Sequence, residues 1–197
     1  MERHRRPGDF FPGPLPVRVL LILLLLLAAP LVAGAGQEAA IDDFVVTNSD
    51  TDLLLYLTLK NCFTPEMETA VQNGIPATFT FYVELYRIRK GWPDKKLVDH
   101  TFHHILSHDS LKEEYRIEFS EKERQHTTGN LPEAKRLMAE VNGFKTIKLD
   151  RLTRGLAYRL LVKATLAKKT LPLYFHYLPF SSMWDFETDW YALEFTY

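Results

Sequence analysis

Leu152-Thr153-Arg154-Gly155-Leu156-Ala157-Tyr158 leads into the segment that says most about the fold. Beyond it, apolar and polar side chains alternate, with Leu160, Val162, Ala164 and Leu166 set against Arg159, Lys163 and Thr165. Alternation with a period of two is typical of a β-strand that buries one face. The sequence therefore predicts a half-buried strand that is entered through a glycine-containing turn.

The spacing of Leu152, Gly155 and Tyr158 resembles a tyrosine corner. In immunoglobulin-like and fibronectin-like sandwiches, such a tyrosine packs under the arch between two sheets and its hydroxyl bonds to upstream backbone. A glycine turn before an ordinary strand explains the same residues equally well. Both interpretations place a strand after Tyr158.

Strand patterns recur on both sides of this segment. The clearest is residues 78–89, where Phe79, Phe81, Val83 and Leu85 point inward. With residues 158–166, the predicted strands number about eight; the others are 41–47, 53–59, 97–106, 114–119, 171–178 and 184–197.

Two short helices interrupt the strands. Thr64 and Pro65 are typical of a helix start, and Gly74 of its end. The second helix is predicted from Pro132 to Gly143 because apolar residues repeat at i, i+3, i+4 and i+7. The polar residues 121–130 predict an exposed loop. The predicted fold is mainly β, an antiparallel β-sandwich of immunoglobulin-like or Greek-key type.

The N-terminal segment has the three parts of a secretory signal. Arginines precede an apolar run over residues 17–33, and Ala33 and Ala35 form the A-x-A arrangement of a cleavage site. We therefore predict a signal peptide over residues 1–35 and a single sandwich domain over 36–197. The alternative is an uncleaved membrane anchor, although the apolar run would span only about 25 Å of a roughly 30 Å hydrocarbon core.

Charge and cysteine usage exclude two classes of protein. Residues 1–35 hold four Arg and two acids of the chain's 24 basic and 25 acidic residues, which leaves 20 against 23. A net charge near −3 argues against nucleic-acid binding, which needs a basic excess. Cys62 is the only cysteine, so stability must come from a packed core rather than an intramolecular disulfide.

Two clusters have the side chains of metal ligands but not the spacing. His100, His103, His104 and His108 lie in a strand-like segment, where four residues separate His100 from His104 by roughly 13 Å. Such a distance is too long for one zinc ion. The carboxylates of Asp185, Glu187 and Asp189 share one strand face, which favours solvation over a calcium site. No metal or other cofactor is therefore predicted.

No catalytic template fits the chain. Residues 107–110 read Ser-His-Asp-Ser, but a nucleophile, base and orienting acid meet by folding rather than as neighbours. A turn is the simpler explanation. The sequence also lacks G-x-S-x-G, H-E-x-x-H and phosphate-binding glycine loops. We therefore predict that the protein is not an enzyme.

One hairpin end has the residues of a recognition surface. Arg87, Arg89, Trp92 and Asp94 could form a rim for a planar or acidic ligand or a partner. The alternative is an Arg-on-Trp stack that only fastens the hairpin.

The last predicted strand allows two architectures. It ends on the aromatic Tyr197, as the closing strand of an outer-membrane barrel does, while the two helices and the uneven strand lengths favour a soluble sheet. The phase of the alternating aromatic positions changes between Trp190 and Tyr191, which puts adjacent aromatics on opposite faces and predicts a bulge or bend there.

Several landmarks resemble a bacterial family described as domain of unknown function 4390. They are the segments 73–76, 84–89, 106–111 and 171–172, together with Phe79, Trp92, Asp94, Trp184 and Trp190. The chain departs from the family pattern at Lys90-Gly91, where further aromatics are common, and at His108, where a Tyr is common. The resemblance covers roughly residues 41–197 and implies an exported bacterial protein without an assigned activity.

Together these patterns predict a periplasmic, non-catalytic binding or envelope-accessory module. Its partner would be an unknown protein or envelope component, with membrane contact only through an uncleaved N-terminal segment. The alternatives are a small outer-membrane β-barrel and a membrane-anchored periplasmic partner of a sensor protein.

Overall fold

The computed structural model describes residues 38–166 and 186–197. The predicted signal peptide, the predicted strand 171–178 and the residues Trp184 and Asp185 lie outside the described residues. The described part forms nine strands and two α-helices. Their order is β1 (Ala40–Asn48), β2 (Asp52–Lys60), α1 (Pro65–Gln72), β3 (Ala77–Arg87), β4 (Lys95–Asp109), β5 (Glu114–Phe119), β6 (Arg124–Thr128), α2 (Leu131–Ala139), β7 (Glu140–Lys148), β8 (Ala157–Leu166) and β9 (Tyr191–Thr196).

The larger sheet has six antiparallel strands in the order β6-β5-β4-β3-β8-β9. β3 lies in its middle, and its inward residues Phe79, Phe81, Val83 and Leu85 are completely buried. β3, β4 and β5 follow one another through hairpins, and β8 returns to the free side of β3. This is the strand order of a Greek key.

The smaller sheet has three antiparallel strands in the order β1-β2-β7 and packs against the larger one. The buried aliphatic face of β2 belongs to the same core cluster as the inward residues of β3. Phe102 of β4 stacks on Phe144 of β7 with ring centroids 4.4 Å apart. The His100 Nε2 group lies 3.1 Å from the carbonyl oxygen of Thr146. The predicted antiparallel sandwich with two helices is confirmed, with nine described strands in place of about eight.

Helix α1 begins and ends as predicted. The Thr64 hydroxyl accepts a hydrogen bond from the Met67 amide, Pro65 is the first helical residue, and the helix stops before Gly74. Its buried residues are Met67, Ala70 and Val71, so α1 covers one end of the core with a single apolar face.

The second helix was predicted too long, and the strand that follows it was missed. Helix α2 ends at Ala139, and β7 begins at the next residue, so Val141 belongs to a strand. Gly143 does not end the helix. It has φ +73° inside β7, and a β-carbon added there would lie 3.4 Å from the Tyr56 hydroxyl. Glycine fits this bulged position because it tolerates the left-handed conformation.

The predicted exposed loop at 121–130 is also wrong in part. Residues 124–128 form β6, an edge strand of the larger sheet that pairs with β5. The side chains of β6 are exposed or half-buried, and all five are polar. Polar and apolar residues therefore do not alternate along this strand. A strand without a buried face gives no periodic signal.

The turn before β8 has the contacts that a tyrosine corner requires. Tyr158 is buried, and its hydroxyl accepts a hydrogen bond of 2.8 Å from the Thr153 amide. Leu152 is buried, and Gly155 adopts φ +77°. The Phe195 ring of β9 stacks on Tyr158 at 5.7 Å.

The bulge predicted near Trp190 is confirmed. Thr165 bridges to Glu187, and Val162 pairs with Tyr191. Three steps along β8 are therefore matched by four steps along the neighbouring chain, which leaves one extra residue. β9 begins only after this irregularity, at Tyr191.

Candidate functional site

The end of the β3–β4 hairpin carries the most exposed tryptophan of the described residues. The Trp92 side chain is 73 % exposed. Large aromatic residues are enriched at the energetic centres of protein interfaces, and Trp can bury much area at low entropic cost. The loop that holds Trp92 connects two long strands of the larger sheet, so the indole stands on a rigid support.

Arg89 and Asp94 fasten the base of this loop rather than face a ligand. The Arg89 guanidinium donates to the carbonyl oxygen of Pro93, with a Nε–O distance of 2.8 Å. The Arg89 backbone amide donates to the Asp94 carboxylate at 3.2 Å. Within the described residues the cation–π contacts come from lysines, so Arg89 and Trp92 do not form the stack that was the alternative interpretation.

Asp94 also ties the hairpin to two other strands. Its Oδ2 atom accepts a hydrogen bond of 2.8 Å from Arg159 of β8, and Arg159 donates to Glu194 of β9 at the same distance. The Glu194 carboxylate, followed by Asp94, raises the pKa of Arg159. Each ion pair is partly exposed and individually weak. Together they join three segments and hold the loop in one position.

Three cationic residues flank Trp92 along the hairpin. Arg87 is the last residue of β3 and is the register partner of Lys95, the first residue of β4. Lys90 lies in the loop between them. Among the described residues, these three cations have no carboxylate within 4.0 Å, whereas Asp94 is neutralised by Arg159. The hairpin end is therefore an exposed indole with unpaired positive charge around it, which we call the Trp92 rim (Arg87, Lys90, Trp92 and Lys95).

The Trp92 rim is separate from a cavity that the described residues enclose. A cavity of about 170 Å³ lies elsewhere, between the β5–β6 hairpin and α2 with β7. Its lining includes Phe119, Lys122, Leu137 and Asn142, and no residue of the rim. Sites for small molecules usually enclose about 300–1,000 Å³. The geometry of the rim suits contact with another surface better than enclosure of a small ligand.

The four histidines of β4 each bond to a separate partner. The His103 ring lies 3.0 Å from the Thr80 hydroxyl, and the His108 ring 3.0 Å from the Gln72 carbonyl oxygen. His100 and His104 bond to the carbonyls of Thr146 and Met138. In the described ranges 38–166 and 186–197, no three His, Cys, Asp or Glu side chains converge as metal ligands.

The other candidate chemical residues also have local partners. The Asp109 carboxylate accepts from the amides of Leu111 and Lys112 in the turn that follows β4. Ser107, His108 and Asp109 themselves lie in β4, so the turn predicted at 107–110 begins only after Asp109. Glu187 forms an ion pair with Lys163, whose ammonium lies 5.6 Å from the Trp190 ring centroid. These contacts fasten the chain.

A buried ionisable pair was not found from the sequence. His104 is fully buried and the side chain of Glu121 is 3 % exposed, with His104 Nε2 lying 3.3 Å from Glu121 Oε1. The rings of Phe81, Phe102 and Phe119 surround the imidazole at 4.8–5.8 Å. No sequence signal joins these residues, because Glu121 lies in a polar turn that is indistinguishable from solvated loop.

Neither α-helix of the described residues has the length and apolar character needed to cross a bilayer.

The fold and the rim define a two-sheet antiparallel β protein with an exposed hairpin end. A family model described as Domain of unknown function (DUF4390) matches residues 36–194, and the chain belongs to this family. No curated protein and no solved structure matches the chain.

Proposed function

We propose that the protein is an exported, non-catalytic binding module that acts in the bacterial cell envelope and docks through the Trp92 rim. The observation that carries this proposal is the 73 % exposed indole on a hairpin end that is locked by hydrogen bonds. Burying that indole against a partner would remove a large apolar surface from water. The partner is an envelope protein or envelope component.

The charges of the rim favour a partner with an acidic surface. Arg87, Lys90 and Lys95 belong to the same hairpin end as the indole, and no carboxylate of the described residues lies within 4.0 Å of them. Opposite charges at the edge of an interface mainly accelerate association and select the partner, while the central aromatic contributes most of the affinity. Substituting the cations should therefore weaken capture in a salt-dependent way, and removing the aromatic ring with Trp92→Ala should abolish it.

Site-specific photocrosslinking in intact cells tests the proposal. A benzophenone amino acid is placed at position 92 of the full chain and, as a control, at Leu111, which is 98 % exposed on the turn at the other end of β4. We expect one discrete adduct from position 92 and none from position 111. The adduct should fall at least fivefold when Lys90 and Lys95 are both changed to Glu.

Docking through the rim would be contradicted by equal crosslinking from both positions. An adduct yield that does not change when Lys90 and Lys95 are changed to Glu would also contradict it. The non-catalytic part of the proposal fails separately if the purified protein turns over a substrate and His108→Ala abolishes that turnover. His108 is suited to this test because it lies away from the hairpin end, at the opposite end of β4.

A further inference from the structure

The contacts of His104 determine which of its ring nitrogens carries hydrogen. Nδ1 lies 2.9 Å from the carbonyl oxygen of Met138. A carbonyl oxygen only accepts hydrogen bonds, so Nδ1 must be the protonated nitrogen. This leaves Nε2 to face Oε1 of Glu121 at 3.3 Å. Two acceptors cannot share a hydrogen bond, and one further proton must therefore lie between the imidazole and the carboxyl group.

That proton belongs on the imidazole when Glu121 is ionised. Burial raises the pKa of Glu121. The hydrogen bond and charge of His104, with smaller contributions from the Glu121 backbone amide and from Lys122, outweigh burial and lower the pKa below its ordinary value. With Glu121 ionised, His104 Nε2 donates its hydrogen to the carboxylate inside the protein. Glu121 Oε2 makes no hydrogen bond within the described part of the chain, so His104 is its main source of stabilisation.

We propose that the His104–Glu121 pair is a proton-dependent lock that holds the β5–β6 hairpin and the end of α2 against the sandwich. Each partner comes from a different element: His104 from β4, Glu121 from the β5–β6 turn, and the Met138 carbonyl from α2. Removing one charge of a buried pair leaves the other uncompensated, which is far more costly than losing an exposed ion pair. Protonation of Glu121 would leave a buried imidazolium among phenylalanine rings.

The other charged and titratable groups on the elements around His104 and Glu121 bond to other partners. Lys122, on the same turn, has its ammonium over the Phe119 ring, and His100 of β4 bonds to the Thr146 carbonyl. Glu140 of β7 is held by Arg136 of α2, and His126 of β6 faces Glu133 at 3.9 Å. β3 contributes the uncharged Phe81. No second carboxylate of the described elements contacts His104, so none can replace Glu121.

The sign of the pH effect follows from the direction of the shift. The pKa of Glu121 is lower in the folded protein than its ordinary value of 4.5. The pair therefore stabilises the fold fully above about pH 4.5 and loses this contribution as the pH falls through the folded-state pKa. The β5–β6 hairpin should open in that acidic range before the central strands β3 and β8 do.

Limited trypsin digestion at pH 7 tests the lock without changing the pH. Lys122 and Arg124 are cleavage sites beside Glu121, and Glu121→Gln imitates the protonated acid with little change of shape. We expect cleavage at these two sites to be at least fivefold faster in Glu121→Gln than in the unmodified protein. The control is Glu118→Gln on the exposed face of β5, which should stay within twofold.

A second measurement covers the possibility that the variant loses its whole fold. In the unmodified protein, amide NMR signals of residues 114–128 should shift together below pH 4.5 while those of β3 and β8 stay fixed. The double variant His104→Gln/Glu121→Gln should lack this transition. The proposal would be overturned if Glu121→Gln were cleaved at the wild-type rate, or if its cleavage at Arg159 and Lys163 accelerated as much as at Lys122 and Arg124. An acid transition that affects all strands at once would also overturn it.

Discussion

Tyr158 connects the turn before β8 to the last strand through its hydroxyl and its ring. The hydroxyl accepts from the Thr153 amide at 2.8 Å, and the ring stacks on Phe195. The same turn binds the chain end, because the Gly155 amide donates to the Tyr197 carbonyl at 2.6 Å. One residue thus stabilises both a turn and the strand that crosses beside it.

Tyr158→Phe should lower the free energy of unfolding by about 1 kcal/mol, because it removes one hydrogen bond and keeps the buried ring. Urea denaturation measures the change. The matched control is Tyr82→Phe on β3, since the Tyr82 hydroxyl makes no hydrogen bond among the described residues, and this variant should change stability by less than about 0.5 kcal/mol. Equal losses in the two variants would show that the Tyr158 hydroxyl has no special structural role.

The sequence predicted two residues of the Trp92 rim, Arg87 and Trp92. It did not predict that the other two candidates, Arg89 and Asp94, fasten the loop instead. Arg87, Arg89, Trp92 and Asp94 lie within eight residues, so any hairpin brings them together. Asp94 accepts a hydrogen bond from Arg159, which is 65 residues away in the chain. His104 and Glu121 are linked in the same unpredictable way, through a strand pairing and a helix end. Local spacing predicts neighbours along a hairpin and not partners across a sheet.

At the scale of elements, strands with a buried aromatic or aliphatic face were predictable, and strands without one were not. β2 and β3 alternate strictly because every second side chain enters the core. β7 was not predicted because the bulge at Gly143 interrupts its buried residues, and because Val141 extends the helical periodicity of α2. β6 lies at the sheet edge and buries nothing that could reveal it.

The terminal strand β9 should be part of the structural core rather than a dispensable edge. Deleting residues 194–197 removes the Phe195 ring from Tyr158, the Glu194 carboxylate from Arg159 and the backbone bonds of Tyr197. We expect the free energy of unfolding to fall by about 2–3 kcal/mol, chiefly from the lost aromatic burial. The measurement is urea denaturation of the full chain and the truncated chain.

The control for this truncation is Thr196→Ala, which changes an exposed side chain of the same strand and leaves the backbone pairing in place. It should stay within about 0.5 kcal/mol of the unmodified protein. If the truncated chain is as stable as the full chain and only loses its crosslinked partner, then β9 is a binding edge that pairs with another strand.

At the scale of the whole molecule, the sandwich places its two notable features at different positions. The Trp92 rim lies at the end of β4 that begins with Lys95, and the His104–Glu121 pair lies further along the same strand, where α2 and the β5–β6 turn cover it. Variants of one feature should therefore leave the other intact. Trp92→Ala should not change trypsin cleavage at Lys122, and Glu121→Gln should not change the position-92 adduct in chains that remain folded.

We propose that the first 35 residues direct export of the chain, and the N-terminus of the mature protein distinguishes a released protein from an anchored one. After expression of the full chain in bacterial cells, we expect intact-mass spectrometry to find a protein that starts at Gly36, because Ala33 and Ala35 fit the small-residue pockets of a signal peptidase. The matched control is Ala33→Leu/Ala35→Leu, which should block cleavage and leave the chain in the membrane fraction. An unmodified protein that keeps Met1 and sediments with membranes would instead support the anchored form, in which the Trp92 rim meets its partner from a tether.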